Sequence, residues 1–260
     1  MVRALLIRGM LVGLVAGLLV FAVGKLAGEP QVDRAIAFET AMDEAKAKAD
    51  IAKGMPGMAP EPEIVSREVQ ASFGLFTGVV VYSAAFGGLF ALVFAVAHGR
   101  IGHLRPRAVS ALLALGGFLA LYVVPNLKYP ANPPSVGDPA TIGLRTGLYF
   151  SMILISVVAM VLAVMGQRRL APRLDGWSAT LLAAAGYLVV IVVADFLLPT
   201  VNEVPAGFPA VLLWRFRMAS LGMQAVMWAT IGLLFGALTE RAMAARFRVS
   251  PQGLMQPFVR

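Results

Sequence analysis

Six stretches of nearly unbroken apolar residues divide the chain, at about 4–24, 75–97, 108–124, 146–165, 179–198 and 219–238. Each approaches the roughly 20 residues that an α-helix needs to cross a bilayer. In hydrocarbon, every backbone N–H and C=O must find its partner within the protein, so runs this long predict helices. The expected fold is all-α, a polytopic membrane helix bundle of six transmembrane helices arranged as three hairpins. It forms a single membrane domain over residues 1–260. The third run is the shortest and extends toward Tyr129.

The polar segments between the runs are of two kinds. Short ones are rich in arginine: Arg100, Arg105 and Arg107 after the second run, and Arg168, Arg169 and Arg173 after the fourth. Arg3 and Arg8 open the first run, and Arg241, Arg246, Arg248 and Arg260 follow the sixth. With six spans, all four clusters fall on one side. The positive-inside rule makes that side the cytoplasm and places both termini there.

The long connections then lie outside. The outer helical loop, residues 25–74, holds nine acidic and six basic side chains. Within it Gln31 to Lys53 is alanine-rich with alternating charge, the pattern of an exposed or surface-lying helix. Gly54, Pro56, Gly57, Pro60 and Pro62 break it. Loops 125–145 and 199–218 are rich in Pro, Asn and Gly. Pro125, Asn126, Pro130, Ala131 and Pro133 in one parallel Pro199, Pro205, Ala206 and Pro209 in the other. Each ends in arginine, Arg145 or Arg215 and Arg217, just before the next apolar run. This similarity suggests parallel repeats and predicts that the two loops lie side by side.

Composition agrees with the membrane reading. Of 260 residues, 59% are hydrophobic and 14% charged, against roughly a quarter charged in a soluble domain. The formal charge of +8 comes largely from arginines flanking apolar runs, with no compact basic patch, so no nucleic-acid partner is expected. The absence of cysteine excludes disulfides, thiolate metal sites and thiol catalysis. Arg3 and Arg8, the first apolar run, and then Ala22 and Gly24 also fit a secretory signal, whose removal would leave five spans. Gly9, Gly13 and Gly17, spaced by four, instead form the small-residue face of a retained, packed helix.

Candidate chemistry is sparse. Asp195 lies in the fifth apolar run, about one turn before Pro199. An acid at that depth is either an ion-pathway group or the partner of an arginine. Arg145, Arg215 and Arg217 are the charge-pairing candidates, for Asp195, Glu203 or Asp138; headgroup anchoring is their other reading. Asn126, Asn132, Asp138, Asn202 and Glu203 are loop oxygen donors. They suit a weakly held divalent cation, or they cap turns beside proline. His98 and His103 flank a glycine-rich basic turn and read as exposed, non-ligating side chains. Met55 and Met58 stand in a Pro/Gly linker and are too few for a copper site. No nucleophile, base or phosphate loop assembles into a catalytic set, so no enzyme is expected.

Three segments resemble the bacterial cobalt transporter subunit CbtA family. They are Glu29-Pro30 with Asp33, Ala35-Ile36 and Glu39; Tyr129-Pro130-Ala131-Asn132-Pro133-Pro134-Ser135-Val136-Gly137-Asp138; and Leu198-Pro199 with Asn202-Glu203-Val204-Pro205, Phe208-Pro209-Ala210, Leu213-Trp214, Phe216-Arg217 and Ser220-Leu221. The resemblance implies a multi-pass protein of the bacterial inner membrane that takes up divalent cobalt as cargo, with no permanently bound cofactor. It also implies a small one-span, histidine-bearing partner, CbtB. The family is often described with five spans, where six are read here. Asp195 and Glu203 are the carboxylates that could meet the metal. The contrasting reading is a non-conducting scaffold or accessory subunit whose outer loops bind a partner.

Overall fold

A computed structural model describes residues 2–54, 64–100, 102 and 104–249, with side chains as far as residue 245. It is 84% helical, with no strand among the described residues. Six helical runs are long and apolar enough to cross a membrane: Val2–Ala52, Arg67–Ala97, Pro106–Lys128, Pro139–Leu170, Gly176–Leu197 and Ala210–Ala245. The all-α class and the six spans follow directly.

The runs are not all uniform helices. The first comprises α1 (Val2–Val23), a π-helical turn at Gly24–Gly28 and α2 (Glu29–Ala52). The expected separate surface helix is therefore the continuation of the first span. Its alanines and alternating charges sustain a helix that needs no chain break. The second run joins α3 (Arg67–Val69) through a π-helical turn at Gln70–Gly74 to α4 (Leu75–Ala97). The third joins α5 (Pro106–Phe118) through a π-helical turn at Leu119–Val123 to α6 (Val124–Lys128). That turn explains how Pro125 and Asn126, expected in a loop, sit in a helix. Proline lacks an N–H and crowds the preceding turn, and the widened turn, with Val124 N–H bonded to the Leu119 carbonyl, makes room for it.

The remaining helices are α7 (Ile142–Leu170), α8 (Gly176–Leu197) and α9 (Ala210–Val249). Asp175 caps α8, its carboxylate accepting from the Ser178 N–H at 2.9 Å. Helix α9 begins well before the apolar run at 219, so Arg215 and Arg217 are helical residues rather than loop ends. The apolar stretch alone hides this, because Val211-Leu212-Leu213-Trp214 is separated from it by the two arginines.

By contacts the chain divides into two compact units. One contains residues 1–21, 75–115 and 225–260. There α1 and α4 meet through backbone. A Cβ placed on Gly9 would strike the Gly87 carbonyl, one on Gly13 the Ser83 carbonyl, and one on Gly17 would lie 2.8 Å from Val80 Cα. This is close packing of the small-residue kind. Phe90 and Phe94 pack edge-on against Phe235, and the Ser110 hydroxyl donates to the Gly232 carbonyl at 2.6 Å.

The other unit contains residues 22–74 and 116–224. Val124, Tyr129, Met152 and Ala194 form a buried cluster, flanked by Tyr149, Ile155, Tyr187 and Ile191, that joins α6, α7 and α8. A second cluster, Ala35, Val136, Phe208 and Leu212, packs α2 against the two proline loops and the start of α9. Arg67 pairs with both Glu29 and Asp33, tying α3 to α2. Helix α8 is the barest span, with only 6% of its most apolar window buried. So much exposed leucine, valine and phenylalanine needs lipid around it.

Candidate functional site

Asn126, Asn132, Asp138, Arg145, Asn202, Glu203 and Arg217 gather where the two proline loops meet, all within the second unit. The first loop leaves α6 at Tyr129. Pro134 and Ser135 occupy the middle of a turn closed by the Val136 N–H on the Pro133 carbonyl at 3.2 Å. Ser135 has φ 70°, as the third position of a type II turn requires. Asp138 then caps the short 3-10 helix Pro139–Thr141, its carboxylate accepting from the Ala140 N–H at 2.8 Å. Asn126 steadies the start of the loop, its side-chain oxygen accepting from the Ala131 N–H at 3.1 Å.

Glu203 in the second loop clamps the first. Its Oε2 accepts from the Asp138 N–H at 2.7 Å, and its Oε1 accepts from the Thr141 hydroxyl at 2.6 Å. Arg145 Nε stands 3.3 Å from Oε2, an ion pair without the alignment of a hydrogen bond. The Thr141 hydroxyl first, then the Asp138 N–H and the Arg145 charge, hold the Glu203 carboxyl below its ordinary range. Arg145 Nη2 also donates to the Asp138 carbonyl at 3.1 Å. Its guanidinium lies against Gly137, whose φ of 130° and lack of Cβ permit the approach. The Tyr129 hydroxyl adds a second tie between the loops, donating to the Pro199 carbonyl at 2.8 Å. The loops are thus adjacent, as their parallel sequences predict.

The two arginines are not equivalent, however. Arg145 holds the end of its own loop, whereas Arg217 on α9 crosses to the beginning of the same loop. Its Nε donates to the Ala131 carbonyl at 3.3 Å and its Nη2 to Asn132 Oδ1 at 3.0 Å. Both therefore serve residues 131–138. An open cleft of about 310 Å³ lies between them, lined by Tyr129, Asn132, Arg145, Tyr149, Asn202, Glu203 and Arg217 among others.

Asp195 lies apart from this cleft. Its expected partner was Arg145, Arg215 or Arg217, with the carboxylate facing the interior. The structure pairs it instead with Lys128, Nζ to Oδ1 at 3.7 Å, and the same ammonium donates to the Asp195 carbonyl. The Asp195 side chain is 53% exposed and that of Lys128 only 6%. The physical reason is length: a lysine ending α6 reaches α8 directly, while Arg145 and Arg217 are occupied by the loop. Arg215 is exposed.

Sequence reasoning assigned no role to Lys128, Thr141, Tyr129 or Tyr149. One signal was available: Lys128 is the only lysine after Lys53. His98 also departs from the exposed reading. Its ring stacks on Phe94, centroids 5.1 Å apart, and its Nδ1 is buried without a hydrogen bond. His103, Met55 and Met58 lie outside the described residues. Among the described residues no three His, Cys, Asp or Glu side chains gather as a metal site.

Six apolar spans and a clamped pair of interhelical loops define a multi-pass membrane protein in a lipid environment. The family model described as "Probable cobalt transporter subunit (CbtA)" matches residues 2–240. The chain belongs to the CbtA family, a family of transporter subunits rather than of enzymes by kind. No curated protein and no solved structure matches it.

Proposed function

We propose that this protein is the membrane-embedded subunit of a bacterial uptake transporter for a divalent metal, cobalt being the cargo that the family description names. The match across residues 2–240 carries this reading. The arginine clusters support an inner-membrane orientation with both ends in the cytoplasm, which puts the two proline loops outside. Asp195 is the acid on the metal's route. Its half-exposed carboxylate is the one candidate acid outside the loop clamp, and the Lys128 ammonium is the cation that an incoming metal displaces. One carboxylate makes a weak site, so a histidine-bearing one-span partner, CbtB, completes the coordination with imidazole.

Cobalt(II) uptake into proteoliposomes tests this, with the chain alone, with a one-span partner alone and with both. Uptake that requires this chain and rises with the partner is expected. If the partner alone transports as well as the pair does, this chain is an accessory subunit and the conducting role fails.

A further inference from the structure

The cleft between the loops carries the wrong charge for a bare cation. Its lining contains two guanidiniums and a single carboxylate, and that carboxylate is consumed. Glu203 takes a backbone N–H, a hydroxyl and Arg145. Arg145 is neutralised by Glu203 and is packed on Gly137. Arg217 has no such counterpart. Its partners are neutral oxygens, the Ala131 carbonyl and the Asn132 amide. A guanidinium carries five N–H donors, and two of them are used here. The rest, with a full positive charge, remain beside the cleft. Asn202 and Thr146 are on the same lining.

From this geometry we propose that the cleft is an oxyanion site. Arg217 supplies the charge and a planar donor fork, and the ligand is a small molecule or headgroup bearing a carboxylate or phosphate. Guanidinium matches both groups through paired N–H donors. A cleft of about 310 Å³ is at the small end of the range for ligand pockets and admits a phosphate or a small di- or tricarboxylate. Tyr129 and Tyr149 provide walls that leave one side of the ligand against apolar surface. The same chemistry comes from two sources, a soluble anion or an anionic lipid headgroup. The inference does not depend on the transport reading, because it concerns binding to the chain alone.

The test uses the purified full-length chain without metal. Calorimetric titration with inorganic phosphate and with citrate probes the soluble source. Retention of phosphatidylglycerol over phosphatidylcholine from mixed nanodiscs, read by native mass spectrometry, probes the lipid source. Saturable binding in one arm is expected and identifies the source. R217Q should weaken it about tenfold or more, the scale of a lost charge-assisted contact. Since R217Q also removes two loop contacts, Asn202→Asp provides an independent variant. It adds a negative charge at an exposed lining position and should weaken binding by a similar factor with an unchanged melting temperature. No saturable binding in either arm overturns the proposal. So does binding that N202D leaves intact, because the anion is then held elsewhere.

Discussion

The two compact units are held by opposite means. In one, α1 and α4 approach because Gly9, Gly13, Gly17 and Gly87 have no side chain to keep them apart. In the other, Glu203, Arg145 and Tyr129 bridge the proline loops with polar contacts, Arg217 reaches the first loop from α9, and Asn126 steadies that loop from within. A seam of glycines in lipid gains from contact between backbones and fails when any atom is added. A polar clamp fails when an atom is removed, because its buried partners then lack donors or acceptors. The first device suits a rigid scaffold. The second lets a site be assembled from residues far apart in sequence, Asp138 and Glu203 for example.

The largest effect should come from adding bulk to the seam. In Gly13→Leu the new Cβ meets the Ser83 carbonyl and Ala84 Cα, which are main-chain atoms and cannot rotate away. A loss of roughly 3 kcal/mol or more is expected, at or beyond the upper end for overpacking. Gly186→Leu, at an exposed position with nothing near its Cβ, should stay within about 0.5 kcal/mol. Denaturation of both in the same detergent measures the difference. Equal melting would mean that the seam does not hold α1 to α4.

In the clamp the sharpest backbone test is Gly137→Ala. The added methyl meets the Arg145 guanidinium, and φ 130° is unfavourable for alanine. Arg145 can swing aside, but only by leaving Glu203. A cost of about 1–3 kcal/mol is expected from strain of this kind. The loss should be smaller in the E203Q background, where Arg145 has less to leave, and a double-mutant cycle reads that coupling.

A gentler probe of the clamp is pH. The folded Glu203 carboxyl titrates below its unfolded value, which is near 4.3. Its contribution is therefore complete above that value and is lost as pH falls through the lower, folded one. The melting temperature should decline on acidification below about pH 4, and E203Q should flatten that part of the curve. An identical acid limb in the variant would remove Glu203 from the clamp's energetics.

Legibility in the sequence divides along the same line. Glycines four apart state the seam directly, and six apolar runs state the spans. The clamp is less legible because its partners are set by loop geometry. Arg145 and Arg217 look like equivalent loop ends, yet both turn toward residues 131–138, since those carbonyls and amides have no helix to satisfy them. Helix α9 begins at Ala210, ahead of its hydropathy signal, and carries Arg217 to polar partners in the loop. The pairing of Lys128 with Asp195 joins residues from two different spans, and only the rarity of lysine in that half of the chain hinted at it.

That pair gives the smallest expected change in stability and the most informative one for function. In Asp195→Asn the shape is kept and the charge removed. The Lys128 ammonium retains the Asp195 main-chain carbonyl as an acceptor. The buried ammonium therefore keeps a partner after the charge is removed, which limits the loss. Thermal stability should therefore barely move. If Asp195 is on the metal's route, cobalt uptake should nonetheless fall more than tenfold, because an amide cannot replace a carboxylate opposite a dication. Lys128→Met sharpens the comparison from the other side. It removes the competing ammonium and should raise the apparent affinity for cobalt while leaving the carboxylate in place. Undiminished uptake in D195N, with unaltered affinity in K128M, would reduce the pair to a tether between α6 and α8.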